Sequence, residues 1–241
     1  MKNPIILPLF LIWYTIGFML QVFFTVPEDL AFSKPIFLIL YGLSMIEFLW
    51  RYQRRDRRLL IGLGIVALST FFIEVLSVET GFPFGDYDYY STLGPRILGV
   101  PFTIALAWVG VLLNALLLSS QQNKWLRALE TGFWIVIMDL ILDPVAVFEH
   151  YWVWSQPGSF SYFGIPITNF ISWFIVGALL SLLFPLYKRS AQMHRAVIFV
   201  FQLMLFLFGM LSVRHGEFII GAMSLSFIAL VEGKFRYAIR K

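Results

Sequence analysis

Eight stretches of this sequence are apolar over a length that approaches or reaches a membrane crossing: about 5–26, 35–50, 59–78, 100–118, 127–148, 165–187, 196–213 and 216–232. The hydrocarbon core of a bilayer takes about 20 residues of apolar helix. Inside it every backbone N–H and C=O must be paired within the protein, which leaves helices and closed barrels. Runs this long are helical. The chain is therefore expected to be an all-α, polytopic transmembrane bundle, one integral membrane domain over 1–241. Eight spans are counted, or seven if the short second run is re-entrant or if one of the last two is. Those last two are joined by a tight turn at Arg214-His215-Gly216. The first run, Ile5–Val26, exceeds a signal-peptide core and no small-residue cleavage site follows it, so it reads as a retained helix. Charge agrees with this class: 13% of residues are charged, against about a quarter in soluble domains.

The basic residues set an orientation. With both termini on the cytoplasmic side of a cell membrane, the inner segments hold Lys2, Arg51, Arg54, Arg55, Arg57, Arg58, Lys124, Arg127, Lys188, Arg189, Arg195, Lys234, Arg236, Arg240 and Lys241. That is 15 of the 18 Lys and Arg; Lys34, Arg96 and Arg214 are left outside. Such a bias follows the positive-inside rule. The run RYQRRDRR at Arg51–Arg58 reads as a stop signal beside anionic lipid rather than as a nucleic-acid patch, and no nucleic-acid partner is expected.

The sequence also echoes itself at an offset of 65 residues. Glu74 falls over Asp139, Tyr87 over Trp152, Tyr89 over Trp154, Gly99-Val100-Pro101 over Gly164-Ile165-Pro166, Thr103 over Thr168 and Trp108 over Trp173. Each unit, about 59–118 and about 124–187, is an apolar helix with a carboxylate, an aromatic loop, then G-[VI]-P opening a second apolar helix with a Trp. Both units run inward to outward and back, so they are parallel repeats. Their loops, 79–99 and 149–164, lie outside, and a shared site belongs in the outer half of the membrane.

The acids carry the chemical signal. Asp139 lies deep in the fifth run, with Asp143 one turn on along the same face. Glu74 occupies the matching place in the third run, and Glu79 ends that helix. An Asp at the centre of a membrane helix costs about 2.5–3.5 kcal/mol on insertion scales, so ionisable groups there are functional candidates by default. The plain alternative is a pair of protonated carboxyls tying two helices together. Pro144 removes a donor and crowds the Leu140 carbonyl, which predicts a kink or an end beside Asp143 and a freed carbonyl able to hold a water. Tyr87, Tyr89, Trp152 and Trp154 would suit an interfacial belt, but matched spacing in two copies favours a pocket wall, with Trp108 and Trp173 deeper. Asn169, Asn114 and Glu47 are polar groups within spans, for which interhelical hydrogen bonding is the default. Glu149 and His150 form a candidate proton relay, and Arg96 is expected to pair with Glu79, Asp86 or Asp88.

Several chemistries are excluded or weakly supported. There is no Cys, hence no disulfide, thiol nucleophile, Cys-ligated zinc or iron–sulfur cluster. His150, His194 and His215 stand far apart, too few for a His-rich di-iron oxygenase. The D-x-x-x-D pair matches magnesium–diphosphate sites only in part, since the first unit offers only Glu74 and Val78 at the matching places and no basic cluster lies on that side. Gly62-Leu63-Gly64-Ile65-Val66-Ala67 fits G-x-G-x-x-A but follows no strand, so it reads as helix packing. No metal or cofactor is expected.

Four motifs taken together resemble a known family: E-x-x-x-x-E-T-G-F-P-F-G-D-Y-x-Y from Glu74, L-G-P-R-I-L-G-V-P from Leu93, D-x-x-x-D-P from Asp139 and Y-F-G-I-P-x-x-N-F-x-x-W from Tyr162. The chain is similar, over roughly 40–235, to the membrane carotenoid-biosynthesis proteins, the carotenoid 1,2-hydratases among them. The resemblance implies addition of water to the terminal C1–C2 double bond of an acyclic carotenoid held in the bilayer, a hydro-lyase reaction giving a tertiary alcohol. It implies other enzymes of the pathway as partners. The residues suit that chemistry: a buried carboxyl can stay protonated and donate, aromatic faces stabilise a cation by roughly 0.5–2 kcal/mol each, and a second carboxylate can take a proton from water. Asp139 or Asp143 is then the donor, and Glu74, with Glu79 behind it, places water or receives the proton. Three rivals stand beside this reading: a carotenoid end-group cyclase, which shares the protonation step; a non-catalytic carotenoid-binding protein, which needs the aromatic walls but not the acids; and a proton-coupled transporter of a polar solute.

Overall fold

Thr103–Leu118 is apolar round its whole circumference, and a helix of that kind belongs in the middle of a bundle. The computed structural model describes residues 4–24, 26–52, 56–156, 158, 160–186 and 191–239, and places this helix at the centre, with every residue from Trp108 to Leu118 buried. The helices are α1 Ile6–Phe23, α2 Ser33–Tyr52, α3 Arg57–Thr80, α4 Thr103–Leu118, α5 Lys124–Phe148, α6 Ile167–Ser181, α7 Ala191–Arg214 and α8 Phe218–Ile239. α4 packs against α2, α3, α5 and α7; α1 lies on α2, α6 on α5, and α8 on α7. Lys2, Arg54, Arg55, Lys188, Arg189, Arg240 and Lys241, counted above among the inner basic residues, lie outside the described residues.

Close approach between helices rests on glycine, since small residues let backbones meet where lipid offers no hydrophobic drive. A Cβ on Gly42 of α2 would sit 2.5 Å from the Leu106 carbonyl oxygen of α4. One on Gly110 of α4 would sit 2.6 Å from the Tyr41 ring. Polar groups within the spans are used for helix ends and cross-links. Glu47 accepts from the first N–H groups of α1, those of Ile5, Ile6 and Leu7, at 2.9, 3.0 and 3.1 Å, which fills the need of an uncapped N-terminus. Asn114 donates to the Tyr41 hydroxyl at 3.2 Å. Asp56 and Asn123 cap α3 and α5.

Among the described residues, six helices are long and apolar enough to cross a membrane. The two shorter ones are not the second, which the sequence marked as short, but α4 and α6, of 16 and 15 residues. At 1.5 Å per residue they reach roughly 24 and 22 Å, short of a 30 Å hydrocarbon core. The cause is local. Gly99-Val100-Pro101 and Gly164-Ile165-Pro166 lead into the helices, Pro166 as the N-cap of α6, but stay extended themselves: their last two residues form the second strands of small hairpins. β2 Arg96–Ile97 pairs with β3 Val100–Pro101. With β4 reserved for Trp152–Trp154, β5 Ser161–Tyr162 pairs with β6 Ile165–Pro166. Both turns put two successive residues at positive φ, Leu98 (51°) and Gly99 (80°), then Phe163 (49°) and Gly164 (79°), the backbone of a type I′ hairpin.

Two other boundaries have physical reasons. α6 stops at Ser181, short of the expected 187, because Pro185 cannot continue a helix. The buried Arg127 guanidinium gathers the Ser181 and Phe184 carbonyls at 3.1 and 2.6 Å, and that of Pro185 as well. α5 runs on through Pro144 to Phe148 rather than ending there. The Leu140 carbonyl that Pro144 leaves unpaired accepts from the Tyr162 hydroxyl at 3.2 Å, so a side chain serves where a water was expected.

Candidate active site

The site grows from the way two loops fold back over two helices. α3 ends on Gly81, whose φ of 73° lets the chain reverse. Ser77, on the last turns, then pins the returning loop: its hydroxyl accepts from Phe84 N at 3.1 Å and donates to Gly85 O at 3.3 Å. The loop continues as β1 Tyr87–Tyr89, and the second loop supplies β4 Trp152–Trp154, antiparallel to it. The register sets Tyr87 opposite Trp154, Asp88 opposite Val153 and Tyr89 opposite Trp152. Side chains alternate along a strand, so Tyr87 and Tyr89 turn inward together while Asp88 faces out. The first turns of α6 fasten the first loop: Thr168 donates to Phe84 O at 3.2 Å and Ser172 to Pro83 O at 2.9 Å.

Beneath this ladder lie three carboxyl groups, Glu74, Asp139 and Asp143, at 3%, 1% and 2% exposure. Glu74 takes three donors. Tyr87 and Tyr89 hydroxyls both donate to its Oε2, the latter at 2.8 Å, and Trp108 Nε1 donates to Oε1 at 2.7 Å. Burial, then the Glu74 charge, hold both phenols well above their ordinary value of 10, so they remain donors at neutral pH. Asp143 accepts from Trp152 Nε1 at 2.7 Å and from Asn169 Nδ2 at 2.7 Å. The same Asn169 amide donates to Asp139 at 3.0 Å, while Asp139 Oδ1 is buried without a hydrogen-bond partner.

A cavity opens between these groups. Glu74, Asp143 and Asn169 are its polar points, and its walls are aromatic and aliphatic. Trp108 and Trp173 stack on one side, centroids 3.9 Å apart, with Phe84 against both. Tyr87 packs on Trp154 and Tyr89 on Trp152 at 4.8 and 5.8 Å. Among the described residues no three His, Asp or Glu side chains are grouped so as to hold a metal ion.

The sequence-derived candidates divide cleanly. Glu74, Asp143, Tyr87, Tyr89, Trp108, Trp152, Trp154, Asn169 and Trp173 all line this cavity. Asp139 does not; it stands behind Asp143, reached through Asn169. Glu79 is exposed at the end of α3 and has no place in the cavity. Glu149 and His150 do not form a relay: Glu149 meets His215 at 2.9 Å and Lys34 at 3.5 Å, while His150, at a φ of 54°, is exposed against Tyr90. Arg96 donates to the Tyr89 carbonyl at 2.7 Å instead of to an acid.

A family model described as carotenoid biosynthesis protein matches residues 33–231, most of the chain and every residue that lines the cavity. The chain belongs to the carotenoid biosynthesis protein family. It is similar to a bisanhydrobacterioruberin hydratase of Haloarcula japonica, 33% identical over 181 residues. That match takes in 70% of this chain but 59% of the relative, so the chain spans about three fifths of that protein's length. No solved structure matches the chain.

In this carotenoid biosynthesis protein the cavity also takes walls that sequence reasoning did not single out as site residues. Phe84, 1% exposed, sits inside the quoted G-F-P-F-G run and was marked only by its neighbours. Tyr151 follows His150 and is turned inward. Leu38 of α2, Val111 of α4 and Phe208 of α7 are ordinary apolar residues in ordinary apolar helices, and nothing in their types announces a cavity.

Proposed function

We propose that the protein is a hydratase, adding water across the terminal C1–C2 double bond of an acyclic carotenoid. The observation that carries the reading is two separately anchored carboxyl groups, Glu74 and Asp143, facing one apolar, aromatic cavity within a membrane bundle. An unactivated trisubstituted alkene needs a proton donor, shelter for a tertiary cation and a placed water. Glu74, with three donors aimed at its two oxygens, suits the acceptor-only form of a carboxylate. Asp143 faces the cavity and is the donor; Asp139, joined to it by the Asn169 amide, is a positioning residue that shares the resulting charge.

In the reaction the Asp143 proton adds to C2 and leaves a cation at C1. The faces of Trp108, Trp173 and Trp152 stabilise that cation by roughly 0.5–2 kcal/mol each. Water bonds to C1 and gives its proton to Glu74. Proton exchange then restores Asp143 and Glu74, and the net change is one added water. The two halves of the site are read as copies of one unit, about 59–118 and 124–187, and the cytoplasmic side as the one bearing both termini. The reciprocal strand register and the distribution of basic residues support these two points.

The test is pigment analysis in a bacterial host that accumulates lycopene. The expected product is heavier by one water with an unchanged chromophore, and Asp143→Asn abolishes it. A ring-bearing isomer of equal mass would assign the protein as an end-group cyclase. Full activity in Asp143→Asn and Asp139→Asn would remove the donor assignment.

A further inference from the structure

The cavity above the acids is not isolated. Four of its walls, Leu38, Leu93, Tyr151 and Phe208, also wall a second cavity of about 340 Å³ between α1, α2 and α7. That second space is lined further by Gln21, Lys34, Phe37, Leu207 and Leu211. Gln21 in turn belongs to a third, of about 510 Å³, between the outer part of α1 and residues 26–33. The third cavity meets the surface at Ile16 and Phe32, 54% and 53% exposed. On an apolar helix such a surface faces lipid.

We propose that this row of cavities seats the polyene chain of the substrate. The hydrocarbon enters from the bilayer beneath the outer half of α1, passes Gln21, lies between α2 and α7, and presents its terminal double bond to Asp143 and Glu74. The assignment rests on the hydratase reading for the identity of the ligand, and three observations give it its route. First, the walls are those of a hydrocarbon site: Phe37, Leu38, Leu207, Phe208 and Leu211 dominate the middle cavity. Second, its aqueous side is closed. Lys34 lies over the Tyr151 ring at 4.7 Å and pairs with Glu149, which also holds His215, so polar groups from α2, the end of α5 and the α7–α8 turn cover it. Third, α1 is anchored more firmly at one end than at the other. Its buried residues, Phe10 and Tyr14, lie in its inner half, where Tyr14 donates to the Leu203 carbonyl at 2.8 Å and Glu47 holds the N-terminus. Beyond Tyr14 the helix buries no side chain fully and is held by the Phe18–Phe206 stack and by Arg214 on the Gln21 carbonyl. The gate between the middle cavity and the acids is then the shared set Leu38, Leu93, Tyr151 and Phe208.

The chain has no cysteine, which makes a single-cysteine test direct. Gln21→Cys and, as a control on the lipid-facing surface of α6, Leu179→Cys (Leu179 is 60% exposed) are placed in lipid nanodiscs. Each is labelled with a membrane-permeant thiosulfonate, with and without lycopene. Near saturation lycopene is expected to slow labelling of Gln21→Cys about tenfold and to leave Leu179→Cys unchanged. Equal effects at the two positions would overturn the route. In parallel, Leu211→Trp fills the middle cavity, and the ratio of lycopene to geraniol hydration should fall about tenfold; an unchanged ratio would overturn the route as well. The cysteine result decides alone if Leu211→Trp does not fold. Protection of Gln21→Cys in a protein that adds water to neither probe would keep the route and discard the hydratase reading.

Discussion

Trp108 and Trp173 stack with their ring centroids 3.9 Å apart and their planes 22° from parallel, and they stand 65 positions apart in the chain. The β1–β4 ladder follows the same arithmetic. Tyr87 pairs with Trp154, which corresponds to Tyr89; Tyr89 pairs with Trp152, which corresponds to Tyr87. Reciprocal pairing of this kind is what two copies related by a twofold axis would give, and it supports the proposed repeat. The correspondence in sequence ends at the proposed acid pair. The place of Asp143 is taken in the first unit by Val78, and that of Asn169 by Ile104. One half therefore offers a single acid with three donors, and the other offers two acids on one amide.

Trp108→Phe tests the first half. The variant keeps a ring in the stack but deletes the 2.7 Å donor to Glu74. A hydrogen bond to a charged group is worth about 1.5–3 kcal/mol, so turnover should fall roughly 10- to 100-fold with normal expression. Trp173→Phe keeps the stack and removes no bond to Glu74, and should lose less. Rates of both variants in membranes, normalised to folded protein, check the order.

Tyr162→Phe tests how α5 tolerates Pro144. The Leu140 carbonyl would lose its donor in a half-buried setting, at a cost of about 1 kcal/mol. The apparent melting temperature in detergent should drop, and activity with it, because Asp139 and Asp143 flank the freed carbonyl. An unchanged melting curve would show that the carbonyl needs no partner.

The acids were legible because an ionisable side chain at membrane depth is costly enough to stand out: Glu74, Asp139 and Asp143 needed no structure to be noticed. Tyr87 with Tyr89, and Trp152 with Trp154, were legible through their matched spacing at the 65-residue offset. That they lie on two strands, and pair antiparallel, was not: the offset places Tyr87 over Trp152, while the ladder sets it beside Trp154. Glu149 illustrates the other limit. Its neighbour in sequence, His150, is turned away by a positive φ, and its partner in space, His215, comes from the α7–α8 turn. Leu38 and Phe208 enter the cavity only through the docking of α2 and α7 on α4. Docking depends on which glycines face one another, which a single hydrophobic run does not reveal.

Alkaline pH should unfold the two aromatic loops in one step. Burial, then neighbouring charge from Glu74, raise the Tyr87 and Tyr89 phenols well above 10, and burial, then Glu149, does the same for Tyr151. In the unfolded chain these groups ionise near their model value of 10. Above that pH the native state therefore binds more protons than the unfolded state, and stability falls as pH rises, by up to about 1.4 kcal/mol per pH unit for each tyrosine. Below pH 10 they contribute no slope. Phenolate absorbance followed alongside melting should rise together with loss of structure. Early, gradual ionisation of Tyr87 and Tyr89 in folded protein, identified with the Phe variants, would contradict the burial argument.

Gly42→Val joins packing to the site. The new Cβ would lie 2.5 Å from the Leu106 carbonyl oxygen and 3.3 Å from the Leu106 Cβ, both on α4. A backbone oxygen in the central helix cannot swing aside as a side chain can, so α2 must move away from α4. Overpacking of this kind costs about 1–3 kcal/mol. The displacement also reaches the cavity, since Leu38 lies one turn from Gly42 and Ala107 is next to Leu106, and both are cavity walls. Stability and turnover should therefore fall together in Gly42→Val. In Gly64→Ala, whose added Cβ meets nothing within 4 Å, both should stay at the level of the parent. Thermal unfolding and product yield from the two variants, expressed side by side, separate a specific α2–α4 contact from a general intolerance of larger residues at helix glycines.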